Sequence, residues 1–270
     1  GMFDIDGIYH DPSWFFVDAQ DINFDGYSDL VIAPVGHLPD YGKAYDPIVL
    51  LSQSESSFQK AKINSDWDGL LFPSKVIIAD LDSDNDFDII LPANGYDAPP
   101  FPKENFGIFI QEDYKFSDLN HEYPTYHHSD RGDNEGAFFH SAAVGDLNHD
   151  LLPDIFMGDL RRPFIIDGSD NLMVGQPIQP YMWSTYIKDS FEGQVLQSEI
   201  IDVVGEPELE LVLGGDDFTS RILEFDSSFN IINEIELENS KTFENAYVLG
   251  ITSGDINADG LEYIIFSIAI

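Results

Sequence analysis

The sequence predicts an all-β fold: a five-bladed β-propeller of four-stranded blades, with a cation loop between the first two strands of each blade. Three observations carry this expectation. An acidic nonapeptide recurs along the chain, an apolar run follows each copy, and no segment offers a three-turn amphipathic helix. Recurrence at a steady period defines one structural unit for the whole chain before any single motif is weighed.

The nonapeptide first appears as Asp21-Ile22-Asn23-Phe24-Asp25-Gly26-Tyr27-Ser28-Asp29, followed by Leu30-Val31-Ile32-Ala33. It returns as Asp80-Leu81-Asp82-Ser83-Asp84-Asn85-Asp86-Phe87-Asp88, followed by Ile89-Ile90-Leu91. A third copy is Asp146-Leu147-Asn148-His149-Asp150-Leu151-Leu152-Pro153-Asp154, followed by Ile155-Phe156-Met157. A late copy opens as Asp255-Ile256-Asn257-Ala258-Asp259-Gly260 and has Tyr263 in place of its ninth-position acid. Between these lies a degenerate copy from Asp202 to Glu210, with Val204 at its third position. Successive starts lie roughly 55–65 residues apart, the length of one blade and its connections.

Strand-like segments precede the loops at Trp14 to Val17, Lys75 to Ala79, Phe138 to Val144 and Tyr247 to Thr252. β-Branched and aromatic residues on both sides of a tight polar loop read as antiparallel strands joined there. Third strands are expected at Pro47 to Leu51, Phe106 to Ile110, Phe164 to Ile166 and Arg221 to Phe225. Phe58 to Ile63 and Ile231 to Leu237 supply fourth strands. The whole chain, 1–270, is expected to form one domain, with Met2 to Tyr9 adding a strand to the last blade.

Within each loop, positions 1, 3, 5 and 9 carry side-chain oxygens and position 7 offers a backbone carbonyl. Calcium takes six to eight hard oxygen ligands in a flexible cage, which this spacing supplies. Gly26 and Gly260 at position 6 permit a sharp turn, and Asn85 tolerates the same left-handed geometry. Leu151 fits that position poorly. Crowding so many carboxylates without a cation costs repulsion and desolvation, so a metal is physically required.

In these features the chain resembles the FG-GAP/VCBS repeat family, whose repeats build the propeller of integrin alpha subunits and of many bacterial surface proteins. Gly136 to Asp150 shows the strand-then-loop pattern best, and Val31-Ile32-Ala33-Pro34 looks like the family's apolar run. The resemblance implies that Ca2+ binds Asp21, Asn23, Asp25, the Tyr27 carbonyl and Asp29. It implies equivalent sets in Asp80, Asp82, Asp84, the Asp86 carbonyl and Asp88, and in Asp146, Asn148, Asp150, the Leu152 carbonyl and Asp154. The late loop offers Asp255, Asn257 and Asp259. Family members mostly act in adhesion or recognition, and some are propeller parts of carbohydrate-active enzymes. Three readings therefore stand open: a recognition module for a protein or carbohydrate ligand outside the cell, a domain of such an enzyme, or a purely structural module.

Fifty acids against twelve bases give a formal charge of -38, which repels phosphate backbones and argues against nucleic acid as a partner. The same field favours cations and basic protein patches. With no cysteine, neither disulfides nor thiolate metal sites are available. No run of about eighteen apolar residues is present, so membrane insertion by a helix is not expected. Gly1 before Met2 reads as a remnant of tag cleavage, which leaves room for a natural export signal and an extracellular, periplasmic or cell-surface setting.

Other groupings read as surface. His121, Glu122, His127, His128, Asp130, Asp133 and Glu135 crowd the longest gap without helical metal-ligand spacing. Arg131-Gly132-Asp133 is a three-residue coincidence in an Asp- and Gly-rich chain. Tyr96, Phe101, Tyr123, Tyr126, Tyr181, Trp183 and Tyr186 divide between blade packing and ligand stacking. No nucleophile elbow, phosphate-binding glycine loop or metalloprotease helix appears, so the chain is not expected to be an enzyme in its own right.

Overall fold

The computed structural model describes residues 4–5, 8–9, 15–35, 46–54, 57–64, 72–93, 106–112, 115–118, 139–159, 163–168, 185–186, 194–203, 208–216, 220–237, 247–258 and 263–269. Among these no α-helix forms, and the strands assemble into propeller-type antiparallel blades. The chain divides into two compact units. One comprises Gly1–Asp80, Asp84–Phe138 and Met173–Pro177; the other comprises Leu81–Ser83, Phe139–Leu172 and Ile178–Ile270.

In the first unit, β1 (Asp4–Ile5) and β2 (Ile8–Tyr9) pair with each other, Ile5 opposite Ile8. The single strand expected over Met2 to Tyr9 is thereby corrected to two short strands paired with each other, and Asp6-Gly7 is in sequence a dipeptide that two-residue hairpins favour. The first blade runs β3 (Phe15–Gln20), β4 (Asp29–Pro34), β5 (Ile48–Ser54) and β6 (Ser57–Lys60), each paired with the next. Along β4 every second residue is fully buried, placing Val31 and Ala33 in the core.

The second blade contains β7 (Lys62–Asn64), β8 (Ile77–Ala79), β9 (Asp88–Leu91), β10 (Gly107–Glu112) and β11 (Lys115–Asp118). Its order is β7-β11-β10-β9-β8, with β7 parallel to β11. The fourth strand expected from Phe58 to Ile63 is thus divided. β6 completes the first blade, β7 extends the second, and at the pivot Ala61 donates its N–H to the Val49 carbonyl at 2.9 Å. Ile22, Val31, Val49, Ile89, Phe109 and Phe116 share one buried core in this unit.

The second unit holds a blade of β12 (Phe139–Gly145), β13 (Asp154–Asp159), β14 (Phe164–Ile166) and β15 (Thr185–Tyr186). Next comes β16 (Gln194–Ile201), β17 (Glu210–Asp216), β18 (Arg221–Phe225) and β19 (Ile231–Glu236). β20 (Tyr247–Gly254) and β21 (Tyr263–Ala269) form a two-stranded sheet among the described residues. Blades meet closely where a side chain is missing. A Cβ on Gly145 would fall 2.5 Å from Ile200 Cγ2, and one on Gly214 would fall 2.8 Å from Val248 Cγ1. These glycines let β12 approach β16 and β17 approach β20.

Candidate metal centre

In the first three repeats the acidic loop bridges the first two strands of its blade, and its curl comes from two residues in left-handed conformation. Position 6 is left-handed in Gly26 (φ 89°), Asn85 (φ 73°) and Leu151 (φ 70°). Position 4 is too: Phe24, Ser83, His149 and Ala258 have φ of 56°, 61°, 65° and 59°. Alternating hands along the backbone gather successive N–H groups into a concavity that suits an anion.

The anion is the loop's own first carboxylate. Asp21 accepts from the N–H of Asp25 (3.0 Å) and of Gly26 (2.9 Å). Asp80 accepts from Asp84 (3.2 Å) and Asn85 (3.1 Å), and Asp146 from Asp150 (3.0 Å) and Leu151 (2.9 Å). Position 5 in turn holds position 7: the N–H groups of Tyr27, Asp86 and Leu152 donate to Asp25 (3.0 Å), Asp84 (2.9 Å) and Asp150 (2.9 Å). Asn23 and Asn148 accept the position-5 N–H through their side-chain oxygens, at 3.1 Å and 3.0 Å. Asn148 also donates its amide Nδ2 to Asp150 at 3.3 Å.

Position 9 does more than its spacing suggests. Asp29, Asp88 and Asp154 are wholly buried, each at 0% exposure. Asp29 accepts from Ile22 N–H (2.9 Å) in its own loop and from Ser52 N–H (2.7 Å) on the third strand. Asp154 does the same with Leu147 (2.8 Å) and Gly168 (3.0 Å), and Asp88 takes Gln111 N–H (2.9 Å). The carboxylate stitches loop to blade. Its burial pushes the carboxyl of Asp29 above the usual range and that of Asp154 up to about 7, against the pull of those N–H donors. The negative charge of Asp167 adds to the rise at Asp154.

In the second loop, ligand atoms of Asp80, Asp82 and Asp88 all lie within 4.8 Å of one another, an arrangement able to hold a divalent cation. These are positions 1, 3 and 9. The first and third loops place Asn23 and Asn148 at position 3, so an amide oxygen stands where Asp82 has a carboxylate. Asp84 is exposed at the loop surface and outside that trio.

The remaining copies differ. In the late loop, Asn257 donates Nδ2 to the Tyr263 hydroxyl at 2.8 Å, so the residue replacing the ninth-position acid occupies the position-3 side chain directly. Ile256 is 66% exposed, whereas its counterparts Ile22, Leu81 and Leu147 are buried. Asp255 is described and exposed, and Asp259 lies outside the described residues. In the degenerate copy, Glu210 retains one half of the position-9 stitch, accepting from Val203 N–H at 2.7 Å.

In the first and third loops, position 4 also reaches the next blade, which spacing does not reveal. Phe24 stacks on Phe87 of the second loop, ring centroids 5.5 Å apart. His149 places its ring Nε2 3.1 Å from the carbonyl of Phe225, one blade on. The His-rich gap from His121 to Glu135, the Arg131-Gly132-Asp133 tripeptide, and Tyr96, Phe101, Tyr123, Tyr126, Tyr181 and Trp183 lie outside the described residues, as does the side chain of Tyr186.

No helix among the described residues is long and apolar enough to cross a membrane. Neither a protein-family model nor a curated protein matches the chain. Among solved structures it is similar to BBS1N in complex with ARL6DN. The crystal soaked with mercury gives a TM-score of 0.44 at 10% identity, covering 88% of this chain and 56% of that one, so this chain spans little more than half its length. The crystal soaked with lead gives 0.40 at 10% identity, over 94% and 77% of the two chains.

Proposed function

We propose that the chain is a single calcium-stabilised propeller of the FG-GAP/VCBS type that recognises a protein or glycan at the cell surface or outside the cell. The convergence of Asp80, Asp82 and Asp88 carries the reading, because three carboxylate oxygens so close together favour a counter-cation. Calcium is the cation that suits hard oxygen donors on a flexible loop, and millimolar external calcium fills even weak oxygen sites. The ligand sets are positions 1, 3, 5, 7 and 9 of the loops at Asp21, Asp80 and Asp146, and a weaker set at Asp255, Asn257 and Asp259. The remaining loop surface is acidic, which favours a partner with basic groups or one bridged through calcium.

A protein and glycan array probed with the full chain, in calcium and in chelator, tests the proposal. Calcium-dependent capture supports it. Release of product from a captured sugar would assign the chain to a carbohydrate-active enzyme instead.

A further inference from the structure

In the first three repeats the position-9 carboxylate receives an N–H from the third strand, at Ser52, Gln111 and Gly168. Each donor sits two residues beyond the partner of the first apolar residue after the loop: Leu30 pairs with Leu50, Ile89 with Phe109, and Ile155 with Ile166. The fourth repeat keeps this frame, with Leu211 opposite Leu223, so the equivalent donor is Phe225. There β18 bends into the Asp226–Asn230 turn, and Glu210 is one methylene longer than Asp. Oε2 of Glu210 still accepts from Val203, but Oε1 has no hydrogen-bond partner among the described residues although the residue is only 2% exposed.

An ionised oxygen left in that position loses its hydration and gains nothing in return. The charges that act on it are Asp202, at the end of β16, and Glu224, on β18, and both are negative. Of the other charged groups on the strands beside β17, Glu199 on β16 is also acidic, Arg221 on β18 pairs with Glu234 and Glu236, and β20 carries only Tyr247 among titratable side chains. A cation does not solve the problem, because Val204 removes the position-3 donor and the oxygens of Asp202, Glu210 and Glu224 do not converge as those of Asp80, Asp82 and Asp88 do. A proton does. It removes the charge that burial and the two neighbouring carboxylates oppose.

We propose that Glu210 is a proton-binding site, a buried carboxylic acid through which the fourth repeat closes its first hairpin without metal. Burial, then the charges of Asp202 and Glu224, raise its carboxyl above the ordinary range, which agrees with the geometry. The folded chain holds this proton to a higher pH than the unfolded chain does. This blade is therefore favoured by acid and weakened as pH rises, whatever the metal content of the other loops.

The test is denaturation of the full chain in saturating calcium at pH about 5 and about 8, for wild type and for Glu210→Gln, whose amide mimics the neutral acid. The folding equilibrium of Glu210→Gln is expected to gain on that of wild type several-fold between the lower pH and the higher. Equal loss at both pH values, or an unchanged pH slope, would overturn the proposal. Should the variant not fold, 13C NMR titration of the assigned glutamate carboxyls in wild type decides. Glu210 titrating above the other glutamates supports the site, and Glu210 titrating among them removes it.

Discussion

Phe24 lies in the first loop and Phe87 in the second, and their rings stack with 27° between the planes. Each ring is attached to a loop that gathers side-chain oxygens, so the contact couples the shapes of the two loops. A stacked aromatic pair contributes about 0.5–1.5 kcal/mol beyond its buried area. Phe24→Ala should cost roughly that much stability in calcium. It should also separate two calcium-binding steps that calorimetric titration otherwise reads as coupled. Identical titration curves for the two proteins would show that the loops fill independently.

Loss of a ligand inside the trio should be more severe than loss outside it. Asp82→Ala removes one of three converging oxygens, while Asp84 lies outside that group. Calorimetry should lose one site in Asp82→Ala and retain a weakened one in Asp84→Ala. Calcium should raise the Tm of wild type sharply over chelator, since binding to the folded state alone stabilises by RT ln(1 + [L]/Kd) per site. An unchanged Tm would remove the structural role of the metal.

The buried carboxylates set the pH response of the metal-free chain. Asp154 titrates near 7 when folded, against about 3.9 when unfolded. Between those values the folded state binds more protons. Stability in chelator should therefore be highest at acid pH and fall as pH rises towards 7, by up to about 1.4 kcal/mol per pH unit for one such group. Calcium should reverse the trend, because the cation needs the ionised form. Denaturation midpoints across this range, with and without chelator, read both slopes; Asp154→Asn should flatten the first.

Leu151 holds φ 70° with 88% of its surface exposed, so it bears the left-handed strain with no burial in return. Such a conformation costs a branched side chain on the order of 1–2 kcal/mol, part of which glycine gives back through its freer unfolded chain. Leu151→Gly should raise stability by about 0.5–1 kcal/mol. At Gly26, where nothing lies within 4 Å of an added Cβ, alanine should lower it by about 1 kcal/mol through φ alone. Chemical denaturation in calcium measures both.

A close approach makes the opposite prediction at Gly214. A Cβ there meets both Cβ (2.9 Å) and Cγ1 (2.8 Å) of Val248, atoms near the backbone that cannot swing away. Gly214→Ala should cost about 1–3 kcal/mol. Gly214→Ala combined with Val248→Ala should recover part of it, and a strictly additive double mutant would refute the contact.

Local pattern was legible and long-range pairing was not. Phe164 to Ile166 and Arg221 to Phe225 are uninterrupted apolar or near-apolar runs, and both form strands over those very residues. The loops announced themselves because their curl is written in residue type at position 6. Lys115–Asp118 has one buried apolar residue, Phe116, and so lacks the alternation that marks a strand; its neighbours on both sides make it one. The double duty of Asp29 and Asp154 depends on where a third strand returns, at Ser52 and Gly168, and no spacing within the loop encodes that. Leu151 shows the reverse case: a residue ill suited to its turn adopts it because the hydrogen bonds to Asp146 and Asp150 dictate the path.

The divided stretch from Ser57 to Asn64 has a mechanical consequence. Its first half is hydrogen-bonded antiparallel into one sheet and its second half parallel into the next, with Ala61 anchored between them. A flexible tether would let the two blades swing apart under tension with little resistance. Here, pulling them apart requires shearing the ladder of Lys62, Ile63 and Asn64 against Lys115, Phe116 and Ser117, with the bonds loaded together. Under force the first two blades should therefore yield in one event, with the load passing between them through this shared strand.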